Sequence, residues 1–550
     1  MPILELERME LFRDEWIALQ ILTPSPMPPV LAHIPPQIIT SPGLLAPLAL
    51  VVVSFIYGTL APGRQAAVNA AKAAAAGLLA AVLAALTVLL TGPVEFLLLD
   101  LGAVKLGLCL DALSVLMLVL VTFLGMVVTR YSVNYLDGDP AQARFSRWLC
   151  LTIFAVAMLV VSGNLLMFAI AWVATSMSLH KLLTFYPERP GAMLAAKKKF
   201  LISRLGDLCL LVAITLVWHE FGSFEFRDIF TAARGATGPA ISWICGLLVA
   251  GALMKSAQFP FHSWLPDTME TPTPVSALMH AGIINAGGFL VVRLSPLLTQ
   301  SPGALNALAL VGAFTALFAS VTMMTQTSIK RSLAWSTVAQ MGFMMLQCGL
   351  GAFALAMLHL VAHSLYKAHA FLSSGSIVNI SKSAWTPSGR PAAHPVVVLG
   401  SVVAALAVGC GIAAAMGLRI HSDPGHLLLV AVFIMALAHL LWTLWSSSLR
   451  TGLLFWGLLI ITGATAACFA LHSAFEHLLA SALPEYAPLR SGFEHAVMAF
   501  IGLLFLAVLI FQSQLPLWAA RPAFARLYVH ASNGFYLGTL LGRLTRKISL

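Results

Sequence analysis

Apolar residues in this chain come in long unbroken runs, separated by short polar breaks. Stretches such as Leu151–Val161 and Leu247–Leu253 carry no charge and no alternation of polar and apolar positions. A membrane-barrel strand would alternate every second residue. A helix satisfies its own backbone hydrogen bonds, as lipid requires. The pattern therefore predicts an all-α polytopic membrane protein with about 15 spans of roughly 20 residues each. They centre near residues 52, 82, 119, 155, 173, 210, 248, 285, 315, 340, 365, 407, 436, 461 and 503.

Composition agrees. Of 550 residues, 59% are hydrophobic and 9% charged, where about 25% charged is usual for soluble domains. Mean hydropathy is +0.91. The net charge of +10 does not point to nucleic acid, because the positive residues fall in alternate breaks. These carry Arg64 and Lys72; Arg130, Arg144 and Arg147; Arg189, Lys197, Lys198 and Lys199; Lys330 and Arg331; Lys382 and Arg390; Arg450. The opposite breaks are short or acidic, as at Glu95 and Asp100. The positive-inside rule then puts the C terminus in the cytoplasm and the N terminus outside, in a bacterial inner membrane. Residues 1–40 mix charges with prolines and read as an extra-membrane leader without a cleavable signal. The seven cysteines form no C-x-x-C pair and read as small buried thiols.

Ionisable groups inside spans are costly and mark function. Lys255 opens Lys255-Ser-Ala-Gln-Phe-Pro-Phe-His-Ser-Trp-Leu-Pro-Asp267, in which Pro260 and Pro266 cannot extend a helix normally. A helix broken near 255–266 frees backbone groups beside a charge, as in transporter ion sites; the plain alternative is a snorkelling lysine. His359, His363 and Lys367 stand at i, i+4 and i+8 on one helical face. Histidine titrates near neutral pH, so the row predicts a proton relay, with His280 as a link to Lys255. The alternatives are a metal pair, for which no third ligand stands nearby, or structural histidines. Asp111 reads as an interfacial cap, and Asp207 as a local ion-pair partner of Arg204. Lys181 reads as an interfacial anchor; His180 is open. No carboxylate-rich cation cage is visible, which favours H⁺ over Na⁺. No cofactor or metal is expected in this chain.

The stretch from Lys255 to Asp267, continuing through Pro272-Thr-Pro-Val-Ser-Ala-Leu-Met-His280, resembles the signature of the antiporter-like subunits of respiratory complex I, Mrp cation/proton antiporters and membrane hydrogenases. Further matches are Asp111-Ala-Leu-Ser114, Tyr131 to Pro140, Ile329-Lys330-Arg331-Ser-Leu-Ala-Trp-Ser336 and the His359 row; together they cover about residues 100–380. The resemblance implies two inverted five-helix repeats with broken helices and a hydrated polar axis. On that frame, residues 41–145 are N-terminal spans, 146–300 and 301–450 the two repeats, 451–513 C-terminal spans and 514–550 a basic amphipathic tail. Lys255 matches the broken-helix lysine, and His280, Lys330, His359, His363 and Lys367 match polar-axis positions.

Two departures narrow the resemblance. Trp172 is followed by Val173, where the family usually has a glutamate that pairs with the broken-helix lysine; His180, two turns on, is a candidate substitute. No lysine lies between Lys382 and Lys547, leaving His439 as the candidate for a second exit. With the closing Leu527 to Tyr536, these features are similar to one branch, the DabB-type membrane subunits of two-part inorganic carbon pumps. The resemblance implies a partner, a DabA-like zinc protein resembling β-carbonic anhydrases, which carries the catalytic zinc while this chain translocates a cation. The other readings are a proton-pumping subunit of a complex I-like or hydrogenase complex, an Mrp-type Na⁺/H⁺ antiporter subunit, and a non-conducting scaffold.

Overall fold

The computed structural model describes residues 63–100, 105–375, 394–417, 424–447, 451–484, 492–518 and 521–547. The expected leader 1–40, the span near 52 and the basic residues Lys382, Arg390 and Arg450 lie outside the described residues. The other fourteen expected span centres all fall within helices or, at 285, within a break between two of them.

Among the described residues the first long helices are α1 (Gly63–Thr91), α2 (Ala112–Tyr135), α3 (Gln142–Val160), α4 (Leu165–Leu183) and α5 (Pro190–Phe221). After the short α6 (Phe226–Ala233) come α7 (Pro239–Lys255), α8 (Trp264–Asp267), α9 (Thr273–Ala281), α10 (Ala286–Arg293) and α11 (Ser295–Leu298). Then follow α12 (Pro302–Met323), α13 (Ile329–Gly349), α14 (Phe353–Leu372), α15 (Pro395–Ala415), α16 (Pro424–Ser447), α17 (Thr451–Leu479) and α18 (Gly492–Trp518). Two short helices, α19 (Pro522–Ser532) and α20 (Leu537–Lys547), close the chain.

Local chemistry sets these ends. Asp111 caps α2: its carboxylate accepts from the Ser114 backbone N–H, and the Ser114 hydroxyl accepts from the Asp111 N–H, a reciprocal capping box. Asn164 caps α4 by accepting from the Met167 N–H. Pro190 starts α5 where a missing N–H costs nothing, and left-handed Gly222 ends it. Beyond Lys255 the chain leaves the helix through Ala257, a fully buried residue at φ 51, which is unfavourable for a side chain with a Cβ. It continues through a 3-10 turn at Phe261–Ser263, α8 and a second 3-10 turn at Thr268–Glu270. A further break at Gly282 and Ile283–Asn285 separates α9 from α10. The expected break near 255–266 is thus present.

Small residues let the helices at this centre approach closely, the usual device where lipid offers no hydrophobic drive between helices. A Cβ on Gly342 would lie 2.6 Å from the Ala316 nitrogen and 2.7 Å from the Gly312 carbonyl oxygen, so α12 and α13 touch backbone to backbone. A Cβ on Gly287 would lie 2.4 Å from the Ser256 hydroxyl, so α10 meets the end of α7 as tightly.

Two expectations need correction. Glu95 and Asp100 do not stand in a plain loop: Val94–Asp100 (β1) and Lys105–Leu110 (β2) pair as an antiparallel hairpin. Left-handed Gly92 and Pro93 stop α1, and Leu108 bridges to Ser162, tying the hairpin to the bundle. Lys198 and Lys199 are not loop charges either. They sit two turns inside α5, 4% and 3% exposed, because neighbouring helices and the tail supply their acceptors.

Contacts sort the connections onto two faces. Arg64 pairs with Asp137, Arg144 donates to the Phe185 carbonyl and Arg189 to the Glu270 carbonyl. On that same basic face Lys198 donates to Asp267 and to the Gly538 carbonyl, both at 2.6 Å, and Gln326 donates to the Ser532 carbonyl at 3.2 Å, so α19 and α20 dock there. The hairpin, Asn164, Glu225 and the Asp111–Arg293 pair share the other face.

Candidate functional site

The ends of α7, α9 and α10, with α4, α5, α13 and α14, enclose a band of polar groups inside the apolar bundle. Lys255 is 7% exposed. Its amine donates to the Trp172 carbonyl at 3.3 Å and lies 4.3 Å from the centre of the Trp172 ring. The indole N–H in turn donates to Asp207 Oδ1 at 2.9 Å, and Asp207 Oδ2 lies 2.6 Å from Arg204. One turn along α4, the buried Lys199 amine donates to the Ser176 carbonyl at 2.7 Å and to its hydroxyl at 2.8 Å. The snorkelling alternative for Lys255 fails, since the amine points into the protein.

From Lys255 the polar groups continue through the breaks. The Ser256 hydroxyl donates to the Ile284 carbonyl at 2.8 Å, and the Asn285 amide donates to the Ser364 hydroxyl on α14 at 2.8 Å. His363 Nε2 lies 3.3 Å from the His280 carbonyl oxygen. His280 is fully buried with its ring stacked on Phe371, and neither ring nitrogen has a hydrogen-bond partner among the described residues. The Lys255 side thus reaches α14 through Ser256, the Asn285 turn and Ser364; the His280 ring lies beside that route.

Along α14 the row faces α13. His359 places Nδ1 2.9 Å from Gln347 Oε1 and Nε2 2.8 Å from Gln340 Oε1. A neutral imidazole donates through one nitrogen only, whereas an imidazolium donates through both. Rotating one amide by half a turn switches this pair of glutamines between the two forms. His359 and His363 have ring centroids 6.3 Å apart. Lys367 is fully buried, its amine donating to the Ser336 hydroxyl at 2.7 Å and to the Leu333 carbonyl at 3.2 Å. Lys330, half-buried at the start of α13, donates to the Thr273 hydroxyl at 3.0 Å.

The accessory candidates divide. Asp207 joins the Lys255 cluster. Asp111 does not: it caps α2 and holds Arg293 through contacts of 2.5 and 3.0 Å on the hairpin face. Burial alone would raise its carboxyl, but the Arg293 guanidinium and the Ser114 hydrogen bonds outweigh that and hold it below the usual carboxylate range. His180 packs on Phe200 at 5.2 Å while Lys255 takes Trp172 as its partner. His439 lies on α16, its ring 4.7 Å from Trp442, beside an apolar cluster of Leu437, Ala438 and Leu441 that is separate from the one around Lys367. Sequence reasoning missed Lys199, Ser176, Gln340, Gln347, Ser336 and Asn285; a lysine and four uncharged polar residues in otherwise apolar helices were the available signal, Asn285 lying in a break. Among the described residues no three His, Cys, Asp or Glu side chains come together as a metal-ligand set.

Comparison with known families decides the class. The family described as NADH:quinone oxidoreductase/Mrp antiporter, transmembrane, matches residues 162–449, and complex I chain 5 N-terminus matches residues 99–146. The chain belongs to this antiporter-like membrane family. The matched region holds Lys255, His280, Lys330, His359, His363 and Lys367. A family member from Halothiobacillus neapolitanus (strain ATCC 23641 / c2), called probable inorganic carbon transporter subunit DabB2, is 43% identical over 455 residues, 81% of each chain. NADH-ubiquinone oxidoreductase chain 5 of Metridium senile is 39% identical over 281 residues, 51% of this chain and 47% of that one. The antiporter-like fold is shared with a chain of the Mrp complex from Dietzia sp. DQ12-45-1b, with TM-score 0.62 and 22% identity over 93% of this chain and 61% of that one. As a member of this family, the chain is an ion-translocating membrane subunit.

Proposed function

We propose that this chain is the cation-translocating membrane subunit of an energy-coupled inorganic carbon uptake pump, with H⁺ as the ion. One observation carries the translocating part: Lys255, Asn285, Ser364, His363 and Lys367 stand in or beside a buried polar row that runs through both helix breaks, with half-buried His359 one turn before His363. Protons need titratable groups in reach of one another, and this row supplies two histidines and two lysines, with the His280 ring beside it. The likeness to the DabB2 protein supports carbon uptake as the work done. The proton pathway then takes in Lys255, His359, His363 and Lys367, with His280 beside the row and Lys330 at the start of α13. Hydration of CO₂ to bicarbonate then belongs to a DabA-like zinc partner resembling a β-carbonic anhydrase, bound on the cytoplasmic side of a bacterial inner membrane. The basic face, with α19 and α20, is that cytoplasmic side.

The test is growth. A strain lacking carbonic anhydrase, given this chain with the product of its neighbouring gene, is expected to grow in ambient air. Lys255→Ala is expected to abolish that rescue with membrane insertion intact. No growth with both proteins correctly inserted overturns the proposal. Rescue that survives Lys255→Ala removes the proton pathway from it.

A further inference from the structure

The cluster around Trp172 carries more positive than negative groups. Lys199, Arg204 and Lys255 surround one carboxylate, Asp207. That carboxylate is already committed to Arg204 and to the Trp172 N–H. Lys199 and Lys255 are both buried, and both amines are held by α4 carbonyls, those of Ser176 and Trp172. These two positions are one helical turn apart, about 6 Å. The ionisable groups facing Lys199 are His180 from α4, Arg204 and Asp207 from α5 and Lys255 from α7. Asp207 is the single anion among them.

Two ammonium groups cannot rest comfortably there. With that acceptor spacing of roughly 6 Å taken as the separation of the amines and an effective dielectric of about 20, the first charge weakens the hold on the second proton on the order of a hundredfold. We propose that Lys199 and Lys255 form one proton-sharing unit, in which a proton arriving at either amine expels the proton on the other. Loading Lys199 drives the Lys255 proton onward toward Ser256 and the α14 row. Val173 stands where the resemblance expects a glutamate, so a second amine here does by repulsion what a carboxylate does by attraction. The inference rests on the proton-translocating reading and names a residue that reading did not include.

The test uses the full chain, co-purified with its neighbouring gene product and reconstituted in liposomes holding an entrapped pH dye. Proton flux is measured across a pH series. Lys199→Gln keeps a donor for Ser176 and removes the charge, which relieves the repulsion; its flux profile is expected to move toward alkaline pH. Lys199→Arg fixes the charge; its profile is expected to move toward acid pH. Shifts of about one to two pH units follow from the hundredfold coupling. Profiles that stay in place, or that move the same way in both variants, overturn the inference, because a structural lysine gives no opposed shift. Absence of any flux from the wild-type protein brings down the parent reading, and this inference with it. Should either variant fail to elute as a single species, the other still decides by the presence or absence of its own shift.

Discussion

Lys255 and Asp207 meet through a single indole. The amine lies 4.3 Å from the centre of the Trp172 ring, and the N–H of that ring donates to Asp207 at 2.9 Å. A carboxylate on α5 thereby reaches the lysine at the end of α7 without touching it, and Trp172 fixes the separation.

Trp172→Phe keeps a ring under the amine and deletes the N–H. A buried acceptor that loses its donor costs about 1–3 kcal/mol. Proton flux in inverted vesicles is expected to fall several-fold at unchanged protein level. Wild-type flux in this variant removes Trp172 from the coupling.

His359 offers a sharper case. A hydrogen bond to a charged group is worth about 1.5–3 kcal/mol, so Gln347→Leu, which removes an acceptor the imidazolium needs, is expected to slow flux by about tenfold or more. Gln347→Glu restores an acceptor and is expected to recover much of it. The same dye assay reads both; equal loss in the two variants assigns Gln347 a packing role.

The Asp111–Arg293 pair governs stability, away from the row. Removing one partner of a buried pair costs about 3–5 kcal/mol, so Asp111→Ala is expected to lower the thermal unfolding temperature in detergent clearly. Because Arg293 holds the Asp111 carboxyl below its usual range, the wild-type pair contributes fully above the unfolded carboxylate value of about 3.9. That contribution is lost as pH falls through the lower folded value. The gap between wild type and Asp111→Ala should therefore be open at neutral pH and close in strong acid. A gap that widens on acidification contradicts the assignment.

The glycine seam predicts a failure to assemble. Gly342→Val puts side-chain carbons where the α12 backbone lies 2.6 Å from a Cβ. The monodisperse fraction in size-exclusion chromatography should collapse, whereas Gly303→Ala, with open space around its Cβ, should leave it unchanged.

The spans were legible because lipid imposes one rule along the whole chain. The row at His359, His363 and Lys367 was legible because a four-residue period in an apolar helix leaves few other meanings. What faces that row was not: Gln340, Gln347 and Ser336 are uncharged, and their importance comes from α13 lying against α14. Lys198 and Lys199 were read as markers of sidedness because a charge next to a break looks the same in sequence whether it meets water or a buried carbonyl. The hairpin escaped because Val94–Asp100 is apolar enough to pass as the fringe of a span. Asp207 was placed with Arg204 correctly, but its bond to Trp172 joins residues 35 positions apart, and no local pattern carries that.

Lys198 holds Asp267 with one bond and the Gly538 carbonyl with another, a partner 340 positions later in the chain. A ribosome adding about 5–20 residues per second needs roughly 20–70 s to supply it. During synthesis, then, the second of these bonds forms only after α20 has been made, well after the interrupted segment itself. The order of birth thus makes α20 a late brace on a segment synthesised long before it.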